Sequence, residues 1–191
     1  METKTIQREI DLVNSARRGD RGAYAELVRR NYPGVIRTVY HLCGDEHLAE
    51  DAAQEAFLKA WQHLPTYQHR SSLKNWLYRI AVNAALDKLR SEPQLTVQDV
   101  DELDMPDSKP GPEAIMERKE RAAAVHQAVW SLPVASRSVL VLRELERFSY
   151  REIAETLDIP LGTVMSRLNY ARERLRELLK NELGQMEDNN G

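Results

Sequence analysis

Residues 149–176 read SYREIAETLDIPLGTVMSRLNYARERLR, and their pattern decides the fold. Apolar residues fall at Ile153, Leu157, Ile159, Val164 and Leu168, a spacing that predicts two short amphipathic helices. Ser149 is placed to cap the first helix, and Glu152 three residues on can complete a capping box. Ile159-Pro160-Leu161-Gly162 breaks the period, and Thr163 is expected to open the second helix. Ala154 is small where two crossing helices must approach closely. Two helices on a tight turn, the second one basic, form the layout of a helix-turn-helix, which sets its second helix in the DNA major groove. Ser166, Arg167, Asn169, Tyr170 and Arg172 then lie on or beside its exposed face, with groups able to reach base edges and phosphates. Taken alone, the segment has a second, less favoured reading as an ordinary helical hairpin with a solvated basic face.

The rest of the chain agrees with an all-α protein. Its 191 residues suit one domain or two small ones, and a 42% hydrophobic content is enough for a packed core. Gly and Pro are scarce, at 8 each, which favours helix. Cys43 is the single cysteine, so neither a disulfide framework nor a cysteine-rich zinc site is expected. The charged start METKTIQREIDLV lacks the apolar stretch of a signal peptide. No apolar run approaches the roughly 18 residues of a membrane helix. These features lead to the expectation of a cytoplasmic protein without membrane insertion.

The net charge of −3 is unevenly spread. Residues 1–90 carry 14 Lys/Arg against 11 Asp/Glu, and residues 118–191 carry 12 against 11. Residues 91–117 carry 1 against 8. The acidity therefore sits in SEPQLTVQDVDELDMPDSKPGPE, a stretch with four prolines and no helical period. It reads as an acidic flexible linker between two small helical domains. Composition alone describes a solvated tether; the functional alternative is an acidic strand lying in a positively charged channel. A chain so weakly basic should bind naked DNA poorly, because phosphate neutralisation supplies most non-specific affinity. A partner that brings most of the DNA contacts is implied.

Before the linker, four helices are expected. Ile6 to Arg17 is amphipathic; Asp20 caps the next helix, which should break or kink near Asn31 because of Pro33 and end at Gly44. A third runs from about Glu46 to His63 and a fourth from about Ser71 to Arg90. Within DAAQEAFLKAW, 51–61, a polar, mostly acidic face of Asp51, Gln54, Glu55 and Lys59 suits docking on a basic partner, although a solvated face is the simpler reading. Within YQHRSSLKNWLYRIAVNAALDKLR, 67–90, aromatic rings alternate with basic groups, a composition suited to single-stranded nucleic acid. Trp76 is expected in the core, whereas Tyr67, in a polar loop, is the candidate for base stacking.

Together these segments resemble bacterial sigma factors of the sigma-70 family, and most of all the compact extracytoplasmic-function group, which keeps only the second and fourth sigma regions. The resemblance rests on DAAQEAF at 51–57, WLYRIAVN at 76–83, and SYREIAETL and PLGTVMSRL at 149–157 and 160–168, in the family's order and spacing. It covers roughly residues 10–90 and 113–180. It implies a region-2-like domain at 1–91, a linker at 92–112, a region-4-like domain at 113–183 and a disordered tail at 184–191. Asp51, Gln54, Glu55 and Phe57 match the helix that docks on the clamp of core RNA polymerase. Tyr67, His69, Arg70, Ser71, Ser72, Lys74, Asn75, Trp76, Arg79 and Asn83 fall in the part that opens the -10 element. Ser149, Tyr150, Arg151, Thr163, Met165, Ser166, Arg167, Asn169, Tyr170 and Arg172 fall in the -35 reader. Tyr67-Gln68-His69 stands where the family usually carries Phe-Arg-Gly.

The implied partners are core RNA polymerase, promoter DNA (duplex at -35, single-stranded at -10) and, as for many relatives, an anti-sigma factor. No catalytic residue, cofactor or metal is assigned, and no GxxxxGK[ST] loop is present. Two alternatives stand beside this reading. One is a stand-alone helix-turn-helix regulator acting on duplex DNA. The other is a zinc protein using His41, Cys43 and His47, for which no fourth ligand is evident. Cys43 otherwise reads as a small core residue, and His126 as a helix-surface or core-edge residue.

Overall fold

The computed structural model describes residues 2–68, 72–91 and 112–189, with side chains from 8–68, 72–91 and 121–180. Among the described residues there are eight α-helices and no strand. The N-terminal half comprises α1 (Glu2–Arg17), α2 (Arg21–Cys43), α3 (Glu46–His63), a 3-10 turn at Leu64–Thr66 and α4 (Leu73–Ser91). The C-terminal half comprises α5 (Pro112–Trp130), α6 (Val134–Glu144), α7 (Tyr150–Leu157) and α8 (Leu161–Asn189). The expected linker lies largely outside the described residues.

Local chemistry sets the boundaries. Asp20 Oδ1 accepts from the backbone N–H groups of Gly22 and Ala23 at 2.9 and 3.0 Å, and Asp45 accepts from Leu48 N at 2.8 Å. Both supply the acceptor that the first turn of a helix lacks. Gly44 ends α2 in the left-handed region at φ 67°.

The break expected at Pro33 does not occur: α2 runs unbroken through it. Pro33 lies on the exposed side of the helix, while Val35, Thr38, Val39 and Leu42 hold the inner face in the core. The expected tail also differs. α8 continues through 184–189, a stretch with helix formers such as Gln185, Met186 and Glu187 and no proline to stop it. α8 begins at Leu161 rather than Thr163, and Pro160 O receives the N–H groups of Thr163 and Val164.

The core joins the two halves. α3 presents Ala49, Ala52, Ala53, Ala56 and Ala60, all buried, and this small-residue face lets α2 and α4 pack closely. One hydrophobic cluster runs from Val35, Val39 and Leu42 of α2 through Leu77 and Tyr78 of α4 to Leu140, Leu142 and Phe148 of the C-terminal half. It continues to Ile153, Val164 and Leu168. α6 is enclosed on every side, from Ser136 to Leu142. A second cluster of Val13, Ala16, Leu27, Leu64, Tyr67 and Leu73 seats α1.

A buried arginine crosses the junction. Arg137, 6% exposed, donates to the carbonyls of Leu42, Trp130 and Leu132 at 2.7, 2.8 and 3.1 Å and stacks on the Trp130 ring at 4.9 Å. Burial lowers its pKa from the ordinary 12.5.

Candidate polymerase and nucleic-acid interfaces

The helix-turn-helix has the cap and the buried face that the sequence predicts, but its second helix starts earlier and runs longer, Leu161–Asn189. Ser149 Oγ accepts from Glu152 N at 3.3 Å while Ser149 N donates back to Glu152 Oε2 at 2.7 Å, a complete capping box. The bond from the Ser149 backbone, followed by those from the side chains of Asn75 and Ser149, holds the Glu152 carboxyl below its usual pKa. Asp158 makes the turn in the left-handed region, at φ 53° and ψ 51°, where a short polar side chain is tolerated. Ile153, Val164, Leu168 and Ala171 are wholly buried and lock α7 onto α8.

The opposite face of α8 is open. Met165, Ser166, Asn169, Tyr170 and Arg172 are exposed, Thr163 and Arg167 half-buried on its flanks, and Ser149, the N-cap of α7, and Arg151 on α7 are exposed. Arg172 is paired to Glu144 at 2.8 Å. Tyr150 is half-buried beneath the Arg143 guanidinium, 5.3 Å from its ring. The second helix thus offers a mixed amide, hydroxyl and guanidinium surface suited to groove contact.

On α3, Asp51, Gln54, Glu55 and Leu58 lie on one stripe, because residues three and four apart share a helix face. Phe57 instead turns inward, 8% exposed, and stacks on Tyr32 at 5.9 Å. It forms part of a groove between α2 and α3 that is also lined by Tyr24, Val28, Leu58 and Trp61. Tyr24 packs on Trp61 at 4.7 Å, its hydroxyl donates to the Phe57 carbonyl, and burial pushes its pKa up to about 12. Leu58 stands 65% exposed at the rim. Beside the groove, Lys59 pairs with Glu55 at 2.6 Å, and Lys88 lies 3.7 Å from Asp51 and 3.8 Å from Glu55. The first of these contacts is the main cause lowering the Glu55 pKa. The sequence marked the acidic stripe but missed the aromatic groove, whose residues come from two helices.

Ser72, just before α4, and Arg79 and Asn83 on it are exposed and Trp76 is half-buried, again along one stripe. His69, Arg70 and Ser71 lie outside the described residues. Tyr67 departs from expectation: it is 5% exposed, packed on Trp76 at 5.0 Å and enclosed by the second cluster, where burial raises its pKa. The polar loop around it hid a core position. Of the two rings, Trp76 is the more accessible.

Lys74 and Asn75, two of the proposed DNA-facing residues, are turned toward the C-terminal half. Asn75 Nδ2 donates to Glu152 Oε1 at 3.0 Å. Lys74 Nζ meets Glu146 Oε2 at 2.9 Å, and Arg37 Nη2 and Thr38 Oγ1 donate to Glu146 Oε1 at 3.0 and 3.1 Å. Desolvation opposes ionisation of Glu146, but bonds from Lys74, Tyr78 and Arg37 outweigh it and lower its pKa. Tyr78, buried and bonded to that carboxylate, is raised.

His41, Tyr40 and His126 form a ring cluster where α2 meets α5, with His126 5.5 Å from each of the other two. Among the described residues no group of three or more His, Cys, Asp or Glu is arranged to hold a metal. Cys43 is buried in the main cluster.

Comparison with known proteins fits both halves. A sigma-70 region 2 family profile matches residues 27–93, and a sigma-70, region 4 profile matches residues 122–175. RNA polymerase sigma-H factor of Pseudomonas aeruginosa is 36% identical over 186 residues, covering 92% of this chain and 96% of its own. The ECF RNA polymerase sigma-E factor of Escherichia coli is 37% identical over 175 residues, covering 86% and 90%. The chain belongs to the extracytoplasmic-function group of the sigma-70 family. It is a promoter-directing sigma factor for RNA polymerase.

Two solved structures share the fold of this sigma factor. CnrH, in complex with the cytosolic domain of CnrY, superposes with a TM-score of 0.69 at 24% identity, covering 91% of this chain and 98% of the other. The sigma factor RpoE of Bartonella quintana, in complex with the anti-sigma factor NepR, gives 0.66 at 23%, covering 82% and 96%. No described helix is long and apolar enough to cross a membrane.

Proposed function

We propose a division of labour among the residues of this sigma factor. Residues 1–91 bind core polymerase and open the -10 element, residues 113–183 read -35, and residues 92–112 connect them. The acidic stripe of Asp51, Gln54 and Glu55, with the groove floored by Phe57, docks the polymerase clamp; exposed Leu58 beside aromatic walls gives that contact an apolar centre and an acidic rim. The single observation that carries the -35 assignment is the helix-turn-helix itself: a capped α7, an Asp158 turn, and the outer face of α8 free.

Opening DNA costs about 1.4 kcal/mol of stacking per step. The energy comes from binding, with unpaired bases stacking on a ring of the α4 stripe while cations follow the backbone. Trp76 is better placed than Tyr67 for that contact. Two modest DNA sites on one polymerase gain from effective concentration, which offsets the near-neutral charge of the free chain. The protein acts as a binding factor rather than an enzyme, in the cytoplasm beside its polymerase. An anti-sigma factor is a fitting regulator, as in the complex of Bartonella quintana RpoE with NepR. The stand-alone regulator is disfavoured because it needs neither the groove nor the α4 stripe.

The test is Arg167→Ala in the holoenzyme. Promoter affinity should fall about tenfold, within the range of one lost bidentate base contact, with core-polymerase affinity unchanged. Equal promoter affinity would remove Arg167 from the -35 reader.

A further inference from the structure

Arg147 holds a backbone conformation that its side chain disfavours. Its φ is 59°, in the left-handed region, and among the described residues Asp158 is the other non-glycine with a positive φ. Asp158 is short and polar, which that region tolerates; Arg147 is long, and a glycine would sit there without crowding. A strained residue persists where its surroundings over-determine it, and such outliers gather at binding sites. Here the surroundings are explicit. Phe148 N donates to the Leu142 carbonyl at 3.2 Å, and Arg143 Nη1 donates to the Phe148 carbonyl at 2.8 Å. Glu146 and Phe148, on either side of Arg147, are both buried. The turn is pinned around Arg147, and the one side chain between these two is exposed.

The fold leaves this guanidinium unused. Arg143 is held by Phe148, Arg172 by Glu144 and Arg174 by Glu177. The carboxylates nearest in sequence are also engaged: Glu144 by Arg172, Glu146 by Arg37 and Lys74, and Glu152 by Ser149 and Asn75. Among the described residues Arg147 makes no hydrogen bond or ion pair, and neither does Arg151, which is also exposed.

Its position supplies the ligand. Arg147 stands two residues before Ser149, the N-cap of α7, so its turn feeds directly into the first helix of the helix-turn-helix. In that motif the second helix enters the groove and the first crosses the sugar-phosphate backbone. A cation at the start of the first helix therefore meets phosphate rather than base edges, and phosphate contacts fix register and orientation. The planar fork of a guanidinium matches phosphate oxygens two at a time.

We propose that Arg147 is a phosphate clamp: an unpaired guanidinium, fixed by a strained turn, that grips the DNA backbone beside the groove read by α8. This rests on the -35 assignment above. Stability is given up at the turn, and a cation is fixed at the edge of the DNA-reading surface. In a chain of net charge −3, placement of single cations matters more than their number.

The test separates two quantities that a purely structural role would couple. Arg147→Gly removes the cation and relieves the crowding, so the urea midpoint should equal or exceed that of the parent while DNA binding weakens. The probe is a fluorescent duplex carrying a promoter recovered by run-off transcription from a genomic library, titrated with holoenzyme from about 50 to about 200 mM KCl. Affinity at low salt should fall about tenfold, in line with one lost charge-assisted hydrogen bond. The slope of log affinity against log salt should shrink by about one, and the loss should be the same for duplexes altered at single -35 positions. Arg147→Lys should keep the slope and Arg147→Gln should lose it. Arg176→Gln, which removes another exposed arginine farther along α8, should change the slope by less than half as much.

A lowered midpoint in Arg147→Gly would make Arg147 a structural turn residue and overturn the clamp. So would a loss confined to one -35 base, equal effects from Arg147→Gln and Arg176→Gln, or unchanged affinity. If Arg147→Gly fails to fold, Arg147→Gln and Arg147→Lys decide by the slope alone. Arg167→Ala in the same titration separates the two claims. If it loses affinity while the Arg147 variants bind like the parent, the clamp falls and the -35 reader stands; if none of them loses affinity, both fall.

Discussion

Gly44→Ala is the sharpest probe of how the two halves are held together. Gly44 closes α2 at φ 67°, so an alanine there costs roughly 1–2 kcal/mol from backbone crowding alone. Its methyl would also lie 1.4 Å from Trp130 Cζ2 and 1.5 Å from Cε2. Normal carbon contacts are about 3.5–4.0 Å, so the indole must retreat by about 2 Å. Retreat breaks the stack of Arg137 on Trp130, now 4.9 Å from the ring, worth about 0.5–2 kcal/mol. The expected total is about 1.5–4 kcal/mol, concentrated at the junction of α2 with α5 and α6. Urea unfolding should shift to a lower midpoint, and small-angle scattering should give a larger radius of gyration in native buffer. An unchanged midpoint together with an unchanged radius would refute the packing of Trp130 on Gly44.

The other expectations come from separate parts of the fold. Ser149→Ala removes the acceptor for Glu152 N and should cost about 1 kcal/mol of stability by urea titration; no change would mean the capping box is energetically idle. Reversing charge at Asp51 and Glu55 together should weaken core-polymerase binding by tenfold or more while moving stability little, since their ion pairs are largely exposed; unaltered binding in titration would remove the acidic stripe from the docking site. Acidification should loosen the α2–α5 contact. Burial, with the charges of His126 and Arg37 beside it, lowers the His41 pKa to about 4, so the folded state resists its protonation. Stability is then full above pH 6.5, falls as pH drops from 6.5 towards 4, and is lower by about 2 kcal/mol at pH 5. His41→Gln should flatten that slope in urea midpoints taken across pH, and an identical slope would exclude His41 as its source.

Local signals in the sequence were reliable where one helix decides the outcome. Ser149 and Glu152 lie three residues apart, and their reciprocal bonds follow from helix geometry; Asp158 takes the strained turn its short side chain permits. Where several elements decide, the sequence was silent or misleading. Pro33 looked like a break or kink, yet α2 continues through it, with buried residues on both sides. Tyr67 sat among polar neighbours and looked exposed, but Leu64, Leu73 and Trp76 close over it. Glu146 carried no signal at all, because Arg37 lies 109 residues away and Lys74 72 residues away. The groove floored by Phe57 likewise needs aromatic residues from both α2 and α3. Helix periodicity reports which face is apolar; it does not report which distant face covers it.

The most direct measurement is run-off transcription from a genomic promoter library, with bacterial core RNA polymerase in the presence and absence of this protein. The account predicts new transcripts that appear only with the protein and whose start sites share one -35 and one -10 element. No new transcripts, together with tight duplex-DNA binding by the free protein, would contradict it and favour a stand-alone regulator.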